Sequence, residues 1–291
     1  MPRRSLLLAG GGLKIAYQAG VLQVWLDEAA IEFDHADAVS AATFTLAMWC
    51  NGMSGRQIAD NWRNFRPLRS IDPNLRALLR LPVAESLLTY RRIRRNAFPA
   101  FGLDWAAIRA TPRRASFNLY DVGEQRVVVL PPQHMTEDLL VAAGSLPIFF
   151  PPVRVDGHLY VDAVHAGAAN VEHAIEQGAD ELWIIWTTST AGRWRNGPVG
   201  EYFAVFELAA NSRLRADLDR IERSNARLAR GEAGTYGRHI TVRLLQQEVP
   251  LHYLFNFSRH RFARAVEMGV ADARAWCRAG GLLGAAPAQP A

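Results

Sequence analysis

An α/β fold, with a mostly parallel sheet packed between two helical layers, is what this sequence predicts, and three observations predict it. Short runs rich in Leu, Val and Ile alternate with helix-patterned stretches along most of the chain. A glycine cluster at Gly10, Gly11 and Gly12 separates the first such run, SLLLA, from an amphipathic stretch, the strand–loop–helix order of an α/β unit. The 291 residues, 49% of them hydrophobic, suffice for a large core in one sizeable domain, and neither an internal repeat nor a linker divides them.

The elements follow in order. After SLLLA and the glycine loop, LKIAYQAGVLQVWLDEA reads as a helix whose Val21, Leu22, Trp25 and Leu26 fall on one face, and a short strand follows near ADAV. ATFTLAMWCNG, after Ser40, is apolar enough for a buried helix. Amphipathic stretches broken at Pro67, Pro73 and Pro82 come next, and residues 54–95 are expected to form a helical cap. RASFNLYDVGEQRVVVL reads as two strands joined at Asp121-Val122-Gly123. TEDLLVAAGSLPIFFPPVRVDGHLYVDA gives a short helix, a proline-rich bend and two strands turning at Asp156-Gly157. VEHAIEQGADELWIIW gives helix and strand, and residues 188–200 a loop. Residues 201–230 read as a long helix, with Arg213/Asp217 and Arg215/Asp219 spaced for a solvated face. SRHRFARAVEMGVADARAWCRAG is the last helix. The expected domain is 5–278, with a flexible tail at 279–291.

Composition narrows the class. Cys50 and Cys277 lie far apart without metal-ligand neighbours, which argues against a disulfide framework or zinc site and fits a reducing cytoplasm. The N-terminal MPRRSLLLAGGGLK superficially resembles a secretory signal, but Lys14 and the glycines interrupt it. No apolar run reaches the roughly 20 residues of a spanning helix. The net charge of +5 favours anionic surfaces without choosing among them, and an arginine bias with Lys14 as the sole lysine is no nucleic-acid signature.

Three places carry the chemistry. Glycines between a strand and a helix let backbone N–H groups approach an anion, either a phosphate or an oxyanion that develops during acyl transfer. The dinucleotide pattern G-x-G-x-x-G fails at Ile15, though Asp34 stands near the distance of its acidic partner, and no G-K-[ST] follows for a phosphate loop. In AVSAA, Ser40 is either a helix N-cap or a nucleophile on a sharp strand-to-helix turn, where small neighbours are needed and Ala38 and Ala42 are the next smallest after glycine. Asp162, at the end of a strand in HLYVDAVHAG, is either a turn residue or a carboxylate directed into a site. His158 and His165 flank it but lack second ligands and read as loop histidines. TYRRIRRNAFPAF reads as a solvated face first, with nucleic-acid stacking and docking on anionic lipid headgroups as the alternatives.

In this order, the glycine loop, the serine elbow and the late aspartate resemble the patatin-like phospholipase family. GGGLKIAYQAGVL, AAGSLPIFFPPVRVDGHLYVDA, VEHAIEQGADEL and AVEMGVADA are similar to its connecting stretches, so the resemblance spans about Leu6 to Ala275. It implies the three-layer α/β/α patatin-like fold and a Ser-Asp dyad of Ser40 and Asp162 without a catalytic histidine. It also implies an oxyanion hole from Gly10, Gly11, Gly12 and Lys14, and no metal or organic cofactor. The implied substrate is an acyl ester or lipid; the implied second partner is an anionic membrane surface contacted peripherally, and no nucleic acid is expected. The sequence departs from the family pattern at Ile15, at Ala38 and Ala42, and at Ala163 and Val164. A fold that binds lipid or protein with little catalysis is the alternative.

Overall fold

The apolar runs pair into one large sheet. The structure, a computed structural model, describes residues 2–75 and 85–284. Its strands are β1 (Arg4–Leu8), β2 (His35–Val39), β3 (Asp72–Pro73), β4 (Leu88–Thr89), β5 (Ala115–Asp121), β6 (Arg126–Leu130), β7 (Val153–Val155), β8 (His158–Asp162), β9 (Glu181–Trp186) and β10 (Thr241–Gln246). The main sheet runs β10-β9-β1-β2-β5-β8-β7, with β6 also on β5, while β3 and β4 form a separate two-stranded ladder. From β10 to β5 every pairing is parallel; β6, β8 and β7 join antiparallel.

Strand alternation assigns the layers. Leu6 is in register with Trp183 and Ala36, whereas its neighbour Ser5 is in register with His35, so Trp183 and His35 face opposite sides. Trp183 meets Trp25 at 5.2 Å and Trp276 at 5.5 Å, which puts α1 (Ile15–Leu22, continued by the wider turns of Gln23–Glu28) and the last helix, Arg259–Ala279, on one face. His35 meets His173 of the helix Val171–Glu176 at 5.9 Å on the other. The fold is the expected three-layer α/β/α sandwich, with β1, β2 and β9 almost wholly buried as strands covered on both faces must be.

Several elements differ from the sequence reading. β10 lies in a stretch, TVRLLQ, that the apolar pattern leaves unassigned, because an edge strand needs apolar side chains on only part of its length. Of the expected cap, α3 (Gly55–Arg63) belongs to the body: a Ser54/Gln57 capping box starts it, and it packs on α1 and the last helix. The remainder is the short helix Pro67–Ser70, the β3–β4 ladder and the turns of Ile93–Phe101, with 76–84 outside the described residues. Asp217 pairs with Arg213 at 3.2 Å yet is buried, so that end of the pair is not on a solvated face. The last helix runs to Ala279, and 285–291 of the expected tail lie outside the described residues.

One strand sets the position of everything that follows. β5 carries β6 along one edge, at Phe117 to Asp121. Its other edge is shared: β2 takes Ala115 to Asn118, ending on Val39↔Asn118, and β8 takes the rest, ending on Asp162↔Leu119. β2 runs parallel to β5 and β8 antiparallel, so their C-terminal ends meet nose to nose over two consecutive residues of β5.

Candidate active site

Ser40 is the residue that follows β2. Its φ is +62°, the left-handed region that a side chain with a Cβ adopts only under constraint. That turn reverses the chain into α2 (Ala42–Cys50), whose N-cap is Ala41 and carries no side-chain cap. The serine therefore does not cap the helix. Its Oγ donates instead to Asp162 Oδ2 at 2.6 Å, inside the protein. Ala38 and Ala42 are fully buried, so the elbow closes with a methyl at both flanking places.

Asp162 uses its two oxygens for two tasks. Oδ1 accepts the Val164 N–H at 2.9 Å, the turn-forming bond, and Oδ2 accepts Ser40. Asp162 thus forms the turn and at the same time meets the serine hydroxyl. Burial pushes its carboxyl up to about 7, against the opposing pull of those two hydrogen bonds. A group poised there is half ionised near neutrality, as a general base for a hydroxyl requires.

The glycine loop closes over the same point. A Cβ on Gly10 would sit 2.7 Å from Val164 Cγ2 and 3.1 Å from Ser40 Cβ, so only glycine lets the loop approach the elbow this closely. The N–H of Gly10, however, donates to the Ala168 carbonyl at 2.7 Å, which removes it from the expected oxyanion donors. Lys14 is removed as well: its ammonium is buried over the Tyr253 ring at 4.4 Å and lies 3.6 Å from Glu248, behind the loop. Gly11 and Gly12 remain. Both border the same cavity as Ser40, and neither N–H finds an acceptor among the described residues. Ile15 is buried at the start of α1 and does not border the cavity, so the loop is not narrowed by it.

Tyr253 holds that loop from beneath, a role that no sequence pattern marks. Its carbonyl accepts the Leu13 N–H at 2.7 Å, and its hydroxyl donates to Glu207 at 2.9 Å while accepting the Ser189 N–H. Gly12, at φ +53°, lies so near that carbonyl that a Cβ would come within 2.2 Å of its oxygen. Gly12→Ala is accordingly expected to displace the loop and lower kcat for ester hydrolysis about 10²-fold or more with little change in KM, the loss typical of one oxyanion donor. Steady-state kinetics, with circular dichroism to verify the fold, measure it.

The cavity above Ser40 is walled by apolar side chains. Phe44, Phe65, Leu88, Phe101, Phe203 and Leu254 are among its lining residues. Tyr90, stacked on Phe150 at 4.2 Å, donates its hydroxyl to the Gly144 carbonyl. The histidines near the aspartate bond elsewhere: His158 Nδ1 bonds Asp121 at 2.7 Å, and His165 Nε2 bonds the Tyr202 hydroxyl at 2.7 Å. The arginine-rich stretch turns its aromatics inward, with Tyr90, Phe98 and Phe101 buried. Arg91 and Arg92 pair with Asp72, and Arg94 with Glu137 and Asp138. Among the described residues, His35, Asp37 and His173 come close enough to share an ion, as do Asp121, Glu124 and His158. In the first group the Ser5 and Ser116 hydroxyls hold both nitrogens of His35, at 2.8 Å each.

With this geometry in place, comparison with known proteins decides the lineage. The model of the family described as patatin-like phospholipase matches residues 6–175, a span that holds the glycine loop, Ser40 and Asp162. The chain belongs to the patatin-like phospholipase family. No curated protein matches the sequence. Among solved structures, VipD from Legionella pneumophila is similar over 96% of this chain and 67% of its own, at 12% identity and a TM-score of 0.44, a likeness too distant to bear on function. Membership gives this patatin-like protein a lipid acyl hydrolase function in the broad sense. No described helix is long and apolar enough to cross a membrane.

Proposed function

We propose that this protein is a serine hydrolase that cleaves carboxylic esters of acyl lipids through Ser40 and Asp162. The observation that carries the reading is the 2.6 Å hydrogen bond from Ser40 Oγ to Asp162 Oδ2 at the floor of an apolar cavity. The acyl chain lies among Phe44, Phe65 and Phe101, with the ester carbonyl between Ser40 and the glycine loop. Ionised Asp162 takes the Oγ proton as Oγ bonds to the carbonyl carbon, and the carbonyl electron pair moves onto oxygen. The N–H groups of Gly11 and Gly12 receive that oxyanion. When the intermediate collapses, the ester C–O bond breaks and the Asp162 proton leaves with the alcohol. Water, activated by the same carboxylate, then releases the acid from Ser40. The buried free thiols of Cys50 and Cys277 suit a reducing compartment, the cytoplasm.

A series of p-nitrophenyl esters of rising chain length, combined with labelling by a serine-reactive fluorophosphonate, tests the reading. Turnover is expected to rise with chain length while the cavity still accommodates the chain, and Ser40→Ala to abolish labelling. An intact protein that neither labels nor turns over any ester would favour the alternative, a lipid-binding module kept on the same fold.

A further inference from the structure

Three stretches of chain that wall the cavity share a peculiarity. Phe65 and Ile71 line it while Leu68 and Leu75 between and beyond them stand in solvent at 65% and 69% exposure. Leu146 and Phe150 line it while Ile148 is 58% exposed, and Leu254 lines it while Phe255 and Phe257 are exposed. Such large apolar side chains cost solvation, and here they gather where one cavity meets the surface. The stretches are also joined: the Arg259 guanidinium donates to Asn64 Oδ1, Phe65 packs on Phe262 at 5.1 Å, and Phe149 lies 6.1 Å from Phe255.

Arginines are interleaved with these side chains. Arg66 and Arg69 flank Leu68, and Arg259 and Arg261 follow Phe257; all four are exposed. Neighbouring Arg63 is neutralised by Asp60 and Glu267, and Arg91 and Arg92 by Asp72. Arg66, Arg69, Arg259 and Arg261 have no carboxylate within ion-pair distance among the described residues. Exposed apolar side chains ringed by unpaired arginines match the two layers of an anionic bilayer, acyl chains beneath phosphate headgroups. The same patch fits a second copy of itself badly, because a two-fold contact would set arginine against arginine.

We infer that this rim is the face by which the protein sits on an anionic lipid surface, with Leu68, Ile148 and Phe257 in the acyl layer and Arg66, Arg69 and Arg261 on the headgroups. Its purpose rests on the acyl-lipid reading above, since an acyl chain could then enter the cavity without crossing water, but its geometry does not.

Co-sedimentation with vesicles tests it, using phosphatidylcholine alone and phosphatidylcholine with about one third phosphatidylglycerol. The wild type is expected to partition onto the anionic vesicles at least about 10-fold more strongly, and R66Q/R69Q/R261Q to lose about that factor. Phe257→Asp is expected to lose binding as well. Both variants are expected to hydrolyse a short, water-soluble ester within about 2-fold of wild type, because none of these side chains borders the cavity. Equal binding of wild type and variants, or no binding by wild type, overturns the inference. So does a change of oligomeric state in the variants without a change in vesicle binding, which would make the rim a contact between copies. Anionic binding in a protein that turns over no ester would overturn the catalytic reading and leave the surface standing.

Discussion

Asp162→Asn is expected to lower kcat/KM for ester hydrolysis about 10⁴-fold, while leaving a folded protein that resists denaturant less pH-dependently than the wild type. The rate loss follows from removing the carboxylate bonded to Ser40 Oγ, a loss comparable to disabling one member of a hydrolytic triad. In the wild type, activity should rise with pH through about 7, as the buried carboxyl ionises. Stability should move the other way. The folded-state value lies above the unfolded one, so the fold binds this proton more tightly than the unfolded chain does. The stabilisation is complete below the unfolded value of 3.8 and is lost as pH rises to about 7. Asp37, pushed up to about 8 by complete burial on β2, acts in the same direction and should preserve part of the slope in the variant. Urea titrations and initial rates at several pH values between 4.5 and 8.5 measure both. Unchanged turnover in Asp162→Asn, or a wild-type rate flat across that range, would remove Asp162 from the chemistry.

Ser40→Ala and Ser40→Gly are expected to be equally inactive but unequally stable. Both delete the hydroxyl, so turnover should fall about 10³-fold or more in each and fluorophosphonate labelling should vanish. Only the glycine variant relieves the backbone, because φ at this residue is +62°. It should be the more stable of the two by about 1 kcal/mol, the left-handed cost for a residue with a Cβ less the greater freedom of glycine in the unfolded chain. Thermal denaturation of the pair at one pH isolates this difference. Equal stabilities would mean that the elbow holds no strain, and residual labelling would point to another nucleophile.

Much of this molecule is legible in its sequence, and the reasons differ between parts. Runs such as SLLLA and ELWIIW, buried on both faces, are continuously apolar, and the glycine cluster fixes the first crossing. Pairs such as Asp156-Gly157 mark the turns. β10 escapes because TVRLLQ mixes polar and apolar residues at a sheet edge. α3 is taken for cap because an amphipathic helix shows which face is apolar but not what that face covers. At the site, Ser40 and Asp162 are found from their local patterns, yet the sequence leaves both open between structural and chemical roles. Their meeting depends on the pairings Val39↔Asn118 and Leu119↔Asp162, 79 and 43 residues apart, a scale that no local pattern records. Gly10 and Lys14 look like oxyanion donors for the same reason: only the fold reveals Ala168 and Glu248 as their partners. Tyr253 gives no signal because its work is done largely by its carbonyl oxygen.

The sharing of one β5 edge by two strands has a mechanical consequence. Ser40 and Asp162 are gauged against adjacent peptide units of an interior strand, so their spacing is set by covalent geometry there and not by the walls above. A bulky guest that prises Phe65 or Leu88 apart deforms a different part of the chain, and the Ser40–Asp162 hydrogen bond stays in tune. The walls can change over evolutionary time while that contact is left alone.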